Sequence, residues 1–565
     1  MSKNIITEKE IKEARSILQK YKDGKSSLEN RIVEDEMFWK RRHWEVLRKN
    51  DDKTKPSSGW MFNAIANKHA DAMDSYPEAV CLPREKSDEE SANKLTQILP
   101  VTLERNNFQD TYSDNWWYKL KHGTCAYGVF WNNNLENGLG DVQVTKIDLL
   151  NIFWEPGVRD IEKSRNLFIC DLVPVDVLKE QYKDVEIKGG EETEIKKYIY
   201  DNDVDTTDKA LVVDWYYKKA GKLHYCKFCE DNVLYSSEND ESMESWYNDG
   251  EYPVVFDVLY PEEGTAVGFG IISVTKDAQL YIDLLDEKVM NYIHAAANPR
   301  FFAKESSGIK EDEFLDVSKP IVHVEGDLDE KKVKQIVVQP LNGYVINFRE
   351  AKIEELKETS SNRDFSQGGT ANGVTSGAAI AVLQEAGNKT SRDMIDASYR
   401  AFTKVIHKMI ERMRQFYDET RTFRILGESG EQEYMQFDNS GITEQSMGFV
   451  GEQELFRKPI FDIDVKAQRQ SPFSTLSQNE TAMNLYNAGF FNPEAAQPAL
   501  AALKLMSFEG KKEVEDYVVQ GQTLYNQLIQ MQQQMQMLMQ ENAMLKGMTI
   551  PQSEEPTAPF AQGSL

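Results

Sequence analysis

Between Asp277 and Ala297 the chain places Leu280, Leu284, Leu285, Val289 and Ile293 on one stripe at helical spacing, and Pro299 closes the run. That predicts a helix of nearly six turns, about 30 Å at 1.5 Å per residue. A helix so long and apolar on one side needs a partner along its length. The chain first interposes a compact stretch, residues 300 to 347, in which short strand runs (Pro320 to Val324, Gln335 to Val338, Tyr344 to Asn347) flank an acidic turn, Glu325-Gly326-Asp327. A second, charged helix follows, Arg349 to Glu358. The order helix, small module, helix places the module at the tip of a helical pair, where it projects.

The flanks divide by hydrophobic period. Residues 5 to 50 read as helix: Ile11, Ala14, Ile17 and Leu18 recur at three-to-four spacing, and Phe38 to Leu47 carries Trp39 and Trp44 among Lys40, Arg41, Arg42 and Arg48. The basic aromatic cluster reads as an amphipathic packing helix with a solvated basic face, in preference to a nucleic-acid or membrane patch. Helices over Phe62 to Met73 and Ser91 to Asn107 follow the Pro56-Ser57-Ser58-Gly59 break. From 123 to 260 the pattern changes to strand runs at Ala126 to Trp131, Val142 to Ile147, Leu167 to Val173, Ala210 to Tyr217, Lys222 to Phe228 and Val254 to Leu259, punctuated by Asn132-Asn133-Asn134, Glu155-Pro156-Gly157 and Asn248-Asp249-Gly250.

Beyond the second charged helix, Ser360 to Gly377 is a loop with almost no apolar content. Helical periodicity resumes from Ala378 to Glu419 through Ile380, Leu383, Ile395, Phe402, Ile406, Met409, Met413 and Phe416, with a kink expected at Gly387-Asn388. Strand runs return over 421 to 466. From Val514 to Leu545 alternating steps of three and four place Val514, Tyr517, Gly521, Leu524, Leu528, Met531, Met535, Leu538, Asn542 and Leu545 on a heptad seam flanked by Gln. An intramolecular helix pair and self-association both fit that seam. After Gly547 the tail reads as disordered.

Composition bounds the chemistry. The 565 residues suggest three or four structural units, and a 40% hydrophobic content can build a core. With 66 Lys+Arg against 93 Asp+Glu the net charge is −27, the wrong sign for gripping nucleic acid by phosphate neutralisation. No apolar run approaches the roughly 18 to 20 residues of a membrane span. The charged start, MSKNIITEKEIKEARS, lacks an apolar leader segment, so a cytosolic origin is expected. Five sparse cysteines fit reduced thiols.

The motifs that would carry catalysis fail one by one. Cys226 and Cys229 with His224 make half a zinc site, and on a strand the two thiols would face opposite ways. Asp201-Asn202-Asp203-Val204-Asp205 opens like a calcium loop, but Thr206 and Val212 stand where Gly and Glu are needed. Gly368 and Gly373 have phosphate-loop spacing, yet Val374-Thr375 replaces the Lys-Ser/Thr pair. Gly268-Phe269-Gly270 lacks the third glycine of a dinucleotide fingerprint. His407 reads as a packing histidine. No catalytic residue, metal or cofactor is expected, and the chain is not expected to be an enzyme.

The order of features resembles the portal, or head-to-tail connector, proteins of tailed double-stranded DNA bacteriophages and their prophages. The blocks are Trp60 to Pro77 (WMFNAIANKHADAMDSYP), Trp116 to Trp131 with Gly123 and Gly128, Asp148 to Pro156 (DLLNIFWEP), Gly250 to Pro253 (GEYP), and Gly268-Phe269-Gly270. After them come Ala296-Ala297-Asn298-Pro299, a small module, a Gly-rich loop, and Ser376-Gly377-Ala378-Ala379-Ile380 to Ser391-Arg392-Asp393 opening a long helix. The resemblance covers roughly residues 10 to 510.

It implies an α+β portal fold and a homo-oligomeric, dodecameric ring at one capsid vertex of the virion, assembled in the bacterial host cytoplasm. The ring is the channel for DNA packaging by the terminase large subunit and for DNA ejection, and the platform for head–tail adaptor proteins. Major capsid and scaffolding proteins are further implied partners. Double-stranded DNA passes without sequence specificity, and no membrane is involved. By this analogy residues 1–270 are the wing, 271–298 the stem helix, 299–347 the clip, 348–358 the second stem helix and 359–377 the tunnel loop. Residues 378–419 are the long wing helix, 420–475 the β-rich part of the wing, 476–546 the crown with its heptads, and 547–565 the tail. The heptads lengthen the crown beyond the compact form. Implied DNA-facing residues are Arg363, Asp364, Gln367, Gly368, Gly369, Asn372 and Gly373; stem residues are Leu280, Leu284, Asp286 and Glu287. The implied clip docking surface is Glu311, Asp312, Glu313, Asp316, Glu325 and Asp327. The alternatives from the residues are another oligomeric scaffold joined through the heptads and an acidic metal-dependent hydrolase.

Overall fold

The computed structural model describes residues 6–47, 55–183, 195–200, 208–240, 243–298, 300–303, 310–315, 333–361, 389–426, 432–450, 453–467, 482–493, 496–505 and 511–545, with 187, 321, 323 and 325. The chain forms two compact units, residues 1–468 and 469–565. The architecture is α+β, with long helices and small antiparallel sheets.

In the first unit the N-terminal helix Glu8–Trp39 opens with a capping box, in which Thr7 accepts from the Lys9 amide and Glu10 accepts from the Thr7 amide. The expected helix over 5 to 50 breaks at residues 40 to 42: Arg41 takes φ +58°, and a short helix His43–Leu47 restarts in a new direction. Helices Trp60–Asp74 and Glu89–Arg105 match the periodicity. Helix Phe108–His122 was not among the helices expected from the sequence. It ends at Gly123, whose φ of +88° closes the last turn on the Lys119 carbonyl.

Two sheets make the β-rich part. Strand Thr124–Asn132 lies between Asp141–Ile147 and Val254–Val258. Five strands from Ile152–Trp154 to Asn232–Ser236 form a meander in chain order. In the latter Cys226 packs with Phe168 and Trp215, whereas Cys229 packs with Leu178 and Val212 on the other side, so the two thiols do face apart. Burial raises the Cys226 thiol to about 12. Pro77–Pro83 pairs with Phe461–Ala467, closing a loop of nearly four hundred residues that no local pattern announces.

The long helix Lys389–Phe416 is fastened by two Lys–Ser–Asp trios. Ser391 accepts from Lys68 (2.7 Å) and donates to Asp71 (2.7 Å); two turns on, Ser398 accepts from Lys119 (3.1 Å) and donates to Asp257, itself 2.6 Å from Lys119. All are buried except Asp71. The Gly387-Asn388 kink lies outside the described residues, as do the tail and residues 378–388.

Helix Ile271–Ala297 then leads out to the small module, and Gly343–Thr359 returns beside it. The return helix starts earlier than expected. Tyr344 to Asn347 has strand-forming side chains, but Asn342 caps the Tyr344 amide (3.1 Å) and draws these residues into the helix. Among its described residues the module has one ribbon, Arg300–Ala303 against Val333–Ile336, and a short helix Glu311–Leu315; Ile321 and His323 belong to no strand.

The second unit contains helices Ala496–Leu505 and Lys511–Leu545, with a small core of Leu485, Ala496, Ala499, Leu503 and Val518.

Candidate channel and docking site

The root of the helical pair is built by backbones that touch. A Cβ on Gly123 would lie 2.1 Å from the Phe269 carbonyl carbon, and one on Gly270 would lie 2.3 Å from the Lys121 carbonyl oxygen. Only glycines permit this crossing. It fixes the first turn of Ile271–Ala297 against the end of Phe108–His122.

Polar side chains then hold the next two turns. The buried Asp283 Oδ1 accepts from the Ser58 amide and hydroxyl (2.8 Å each) and from Gln279 Nε2 (3.1 Å), and Oδ2 lies 3.3 Å from His43 Nε2. Gln279 also donates to Ser58 Oγ (2.6 Å) and accepts from the Met61 amide (3.1 Å). His43 stacks on Phe38 at 4.7 Å. Ser58 belongs to the break that the sequence reads as a mere linker; here it is the bracket.

A second cluster lies on the same junction. Glu36 accepts from Lys121 (2.6 Å) and lies 3.5 Å from the buried His122. Burial alone would raise its carboxyl, but the bonds from His122 and Lys121 outweigh it and hold the group at about 2.

At the same level the helices pack through Ala278 and Ile282 against Ile353 and Leu356, with Trp60 alongside. Arg349 ion-pairs with Asp286, and that hydrogen bond raises the guanidinium pKa. Of the expected stem residues, then, Asp286 is a packing pair within one chain; Leu280, Leu284 and Glu287 are half-buried along the same helix. Tyr281, Met290 and Ile293 remain about half exposed.

At the tip, Phe301 meets Phe314 of the short helix edge-on at 4.8 Å. Glu313 accepts from the His323 amide (2.9 Å) and ring (2.8 Å), the backbone bond being the larger cause of its lowered pKa. Asp312 and Glu325 are exposed, and Glu311 opens the helix. Asp316 and Asp327 lie outside the described residues, as do all the expected tunnel-loop residues: Arg363, Asp364, Gln367, Gly368, Gly369, Asn372 and Gly373. The sequence reading overlooked the apolar part of this surface: Phe302 is 66% exposed, Val337 76% and Tyr344 70%.

A cavity of about 840 Å³ lies elsewhere in the first unit, lined by Arg159, Glu162, Glu251, Lys404, His407 and Lys408 among others. Its central charges compensate one another: Lys408 reaches Glu162 (2.9 Å) and Glu251 (2.7 Å). His407 is exposed at the cavity wall, and partial desolvation lowers its pKa. Among the described residues no group of three or more His, Cys, Asp and Glu converges to hold a metal. No helix among them is long and apolar enough to cross a membrane.

Comparison with known families gives one match: the Phage P22-like portal protein family, over residues 34–555. The chain belongs to that family, and its role is that of a phage portal protein, a structural component of the virion. No curated protein matches it. Among solved structures, a chain of the "Virion of native gene transfer agent (GTA) particle" aligns with a TM-score of 0.38 and 10% identity, covering 78% of this chain and 90% of that one.

Proposed function

We propose that copies of this chain close into a dodecameric ring at one capsid vertex, through which terminase packages DNA and through which DNA leaves at infection. The carrying observation is the family match over residues 34–555. The rooted helical pair with a module at its tip supports the assignment of 271–298 and 348–358 to the stem and 299–347 to the clip, where terminase and then head–tail adaptors dock. The loop 359–377 faces DNA, with Arg363 and Asp364 its only charges. A net charge of −27 leaves few sticking points for phosphate, which suits passage of DNA without sequence specificity. The protein acts as a conduit and platform, without catalysis.

In the second unit the heptad positions Leu524, Leu528, Met531, Met535 and Leu538 are all half or more exposed. That pattern supports a crown in which these helices associate between subunits. The test is direct: negative-stain images of the purified chain show rings with a central hole. Monomers or filaments would overturn the reading. Deleting Gln367 to Gly373 leaves rings intact but impairs packaging or retention of DNA; unchanged packaging would overturn the tunnel-loop assignment.

A further inference from the structure

The tip module is two-sided. In an antiparallel ribbon, residues directly opposite one another point to the same face and neighbours along a strand alternate. Phe302 is opposite Lys334, and Arg300 is opposite Ile336. These four therefore share one face. Phe301 is opposite Gln335 and points the other way, where Phe314 of helix Glu311–Leu315 covers it. So the covered face carries an acidic helix (Glu311, Asp312, Glu313), while the open face carries an aromatic and an aliphatic side chain between two cations. Arg300, Phe302 and Lys334 are exposed on it.

Two strands of four residues do not hold together in water by themselves; a third layer on the open face is what such a ribbon lacks. The occupant must be apolar at its centre and acidic around it. The module itself bears such a surface on its opposite side. A twofold contact of open face on open face would bring four cations together with no acid among these residues, so the charge match favours a head-to-tail contact, the kind that closes rings. Duplex DNA fits less well, because two cations neutralise little phosphate and the face is apolar at its centre.

We propose that the Arg300–Phe302–Lys334–Ile336 face of one subunit docks on the acidic helix Glu311–Leu315 of the next, so that the small modules form a continuous belt. The proposal rests on the ring reading above.

The test is a local cross-link in the full-length chain, whose five native cysteines are buried. Lys334→Cys combined with Asp312→Cys gives, on mild oxidation, a ladder of covalent multimers on a non-reducing gel, and neither single variant does. Within one chain the two positions lie on opposite sides of the module, so an internal bond cannot make the ladder. Separately, Arg300→Glu with Phe302→Ala weakens ring association by at least about tenfold in mass photometry, as loss of an aromatic anchor and a charge match should. Arg300→Glu/Lys334→Glu weakens it likewise, and adding Glu311→Lys/Asp312→Lys restores it. Circular dichroism melts identical to wild type exclude misfolding. Wild-type rings with no ladder and no response to charge reversal would overturn the contact while leaving the ring reading intact. Absence of wild-type rings would overturn both. Rings that survive reversal but lose DNA or another protein would assign the face to that partner instead.

Discussion

Two long helices of this chain look alike in sequence and end differently. Ile271–Ala297 and Lys511–Leu545 each carry an apolar stripe at helical spacing. The first finds partners inside its own unit through Ala278, Ile282 and Asp283, which meet Ile353 and Leu356 on the returning helix and Ser58 and His43 at its root, while Leu280 and Leu284 are half-buried and Ile293 half exposed. The second buries Val518 near its start and then leaves Leu524, Leu528, Met531, Met535 and Leu538 open. Amphipathicity states that a helix needs cover and says nothing of who supplies it. The same contrast runs outward along the first helix, from a root held by Gln279 and Asp283 to the module beyond its end, where Phe302 is two-thirds exposed.

The largest effect expected from breaking that contrast is at Asp283. Asp283→Ala removes the acceptor shared by Ser58 and Gln279, together with the carboxylate beside His43, and destabilises the first unit by about 3–5 kcal/mol, read as a drop in the denaturation midpoint. A loss no greater than that of a surface substitution would mean the bracket does not hold the root. Gly270→Ala comes next. Its Cβ has nowhere to go against the Lys121 carbonyl, so the helix start must shift, at about 1–3 kcal/mol.

Lys25 sharpens the comparison through pH. Buried on the N-terminal helix, it donates to the Ile152 carbonyl (2.6 Å) and sits 4.1 Å from the Phe153 ring centre, and burial lowers its pKa to about 8. The folded value lies below the ordinary 10.5, so between about pH 8 and 10 the unfolded chain binds more protons and stability rises with pH. The rise is on the order of 2–3 kcal/mol before other groups intervene, and Lys25→Met flattens it in a pH series of urea melts. A slope unchanged in the variant would show that other groups set it.

The smallest effect separates the two helices. Leu528→Glu with Met535→Glu leaves the unfolding of the isolated subunit within about 0.5 kcal/mol of wild type, since both side chains are already exposed. The same pair weakens association through the second unit, measured by sedimentation. A marked loss in the monomer would mean the seam is covered from within the chain.

Much of the scaffold was legible because periodicity is local. Ile271–Ala297, Trp60–Asp74 and the strands from Thr124–Asn132 to Lys222–Cys229 fall where their apolar spacing puts them. The misreadings arose where a backbone detail outweighed side-chain propensity: Asn342 capping Tyr344 into a helix, Arg41 turning the chain at positive φ. Of the acidic residues read at the tip, Asp312 and Glu325 are exposed and Asp316 and Asp327 lie outside the described residues; the exposed Phe302 and the bracket of Ser58, Gln279 and Asp283 were not read from the sequence. Gln279 and Asp283, four apart on an otherwise apolar stripe, were the available signal.

The order of blocks along the chain was enough to reach the portal family, and the −27 charge with the failed motifs was enough for the expectation that the chain neither catalyses nor grips DNA. Those conclusions need only composition and spacing between near neighbours. Tertiary structure alone decided that Pro77–Pro83 would pair with Phe461–Ala467, that two backbone segments would meet at Gly123 and at Phe269-Gly270, and which apolar faces would stay open. Contacts between residues hundreds of positions apart depend on how whole elements pack, and no local pattern encodes that.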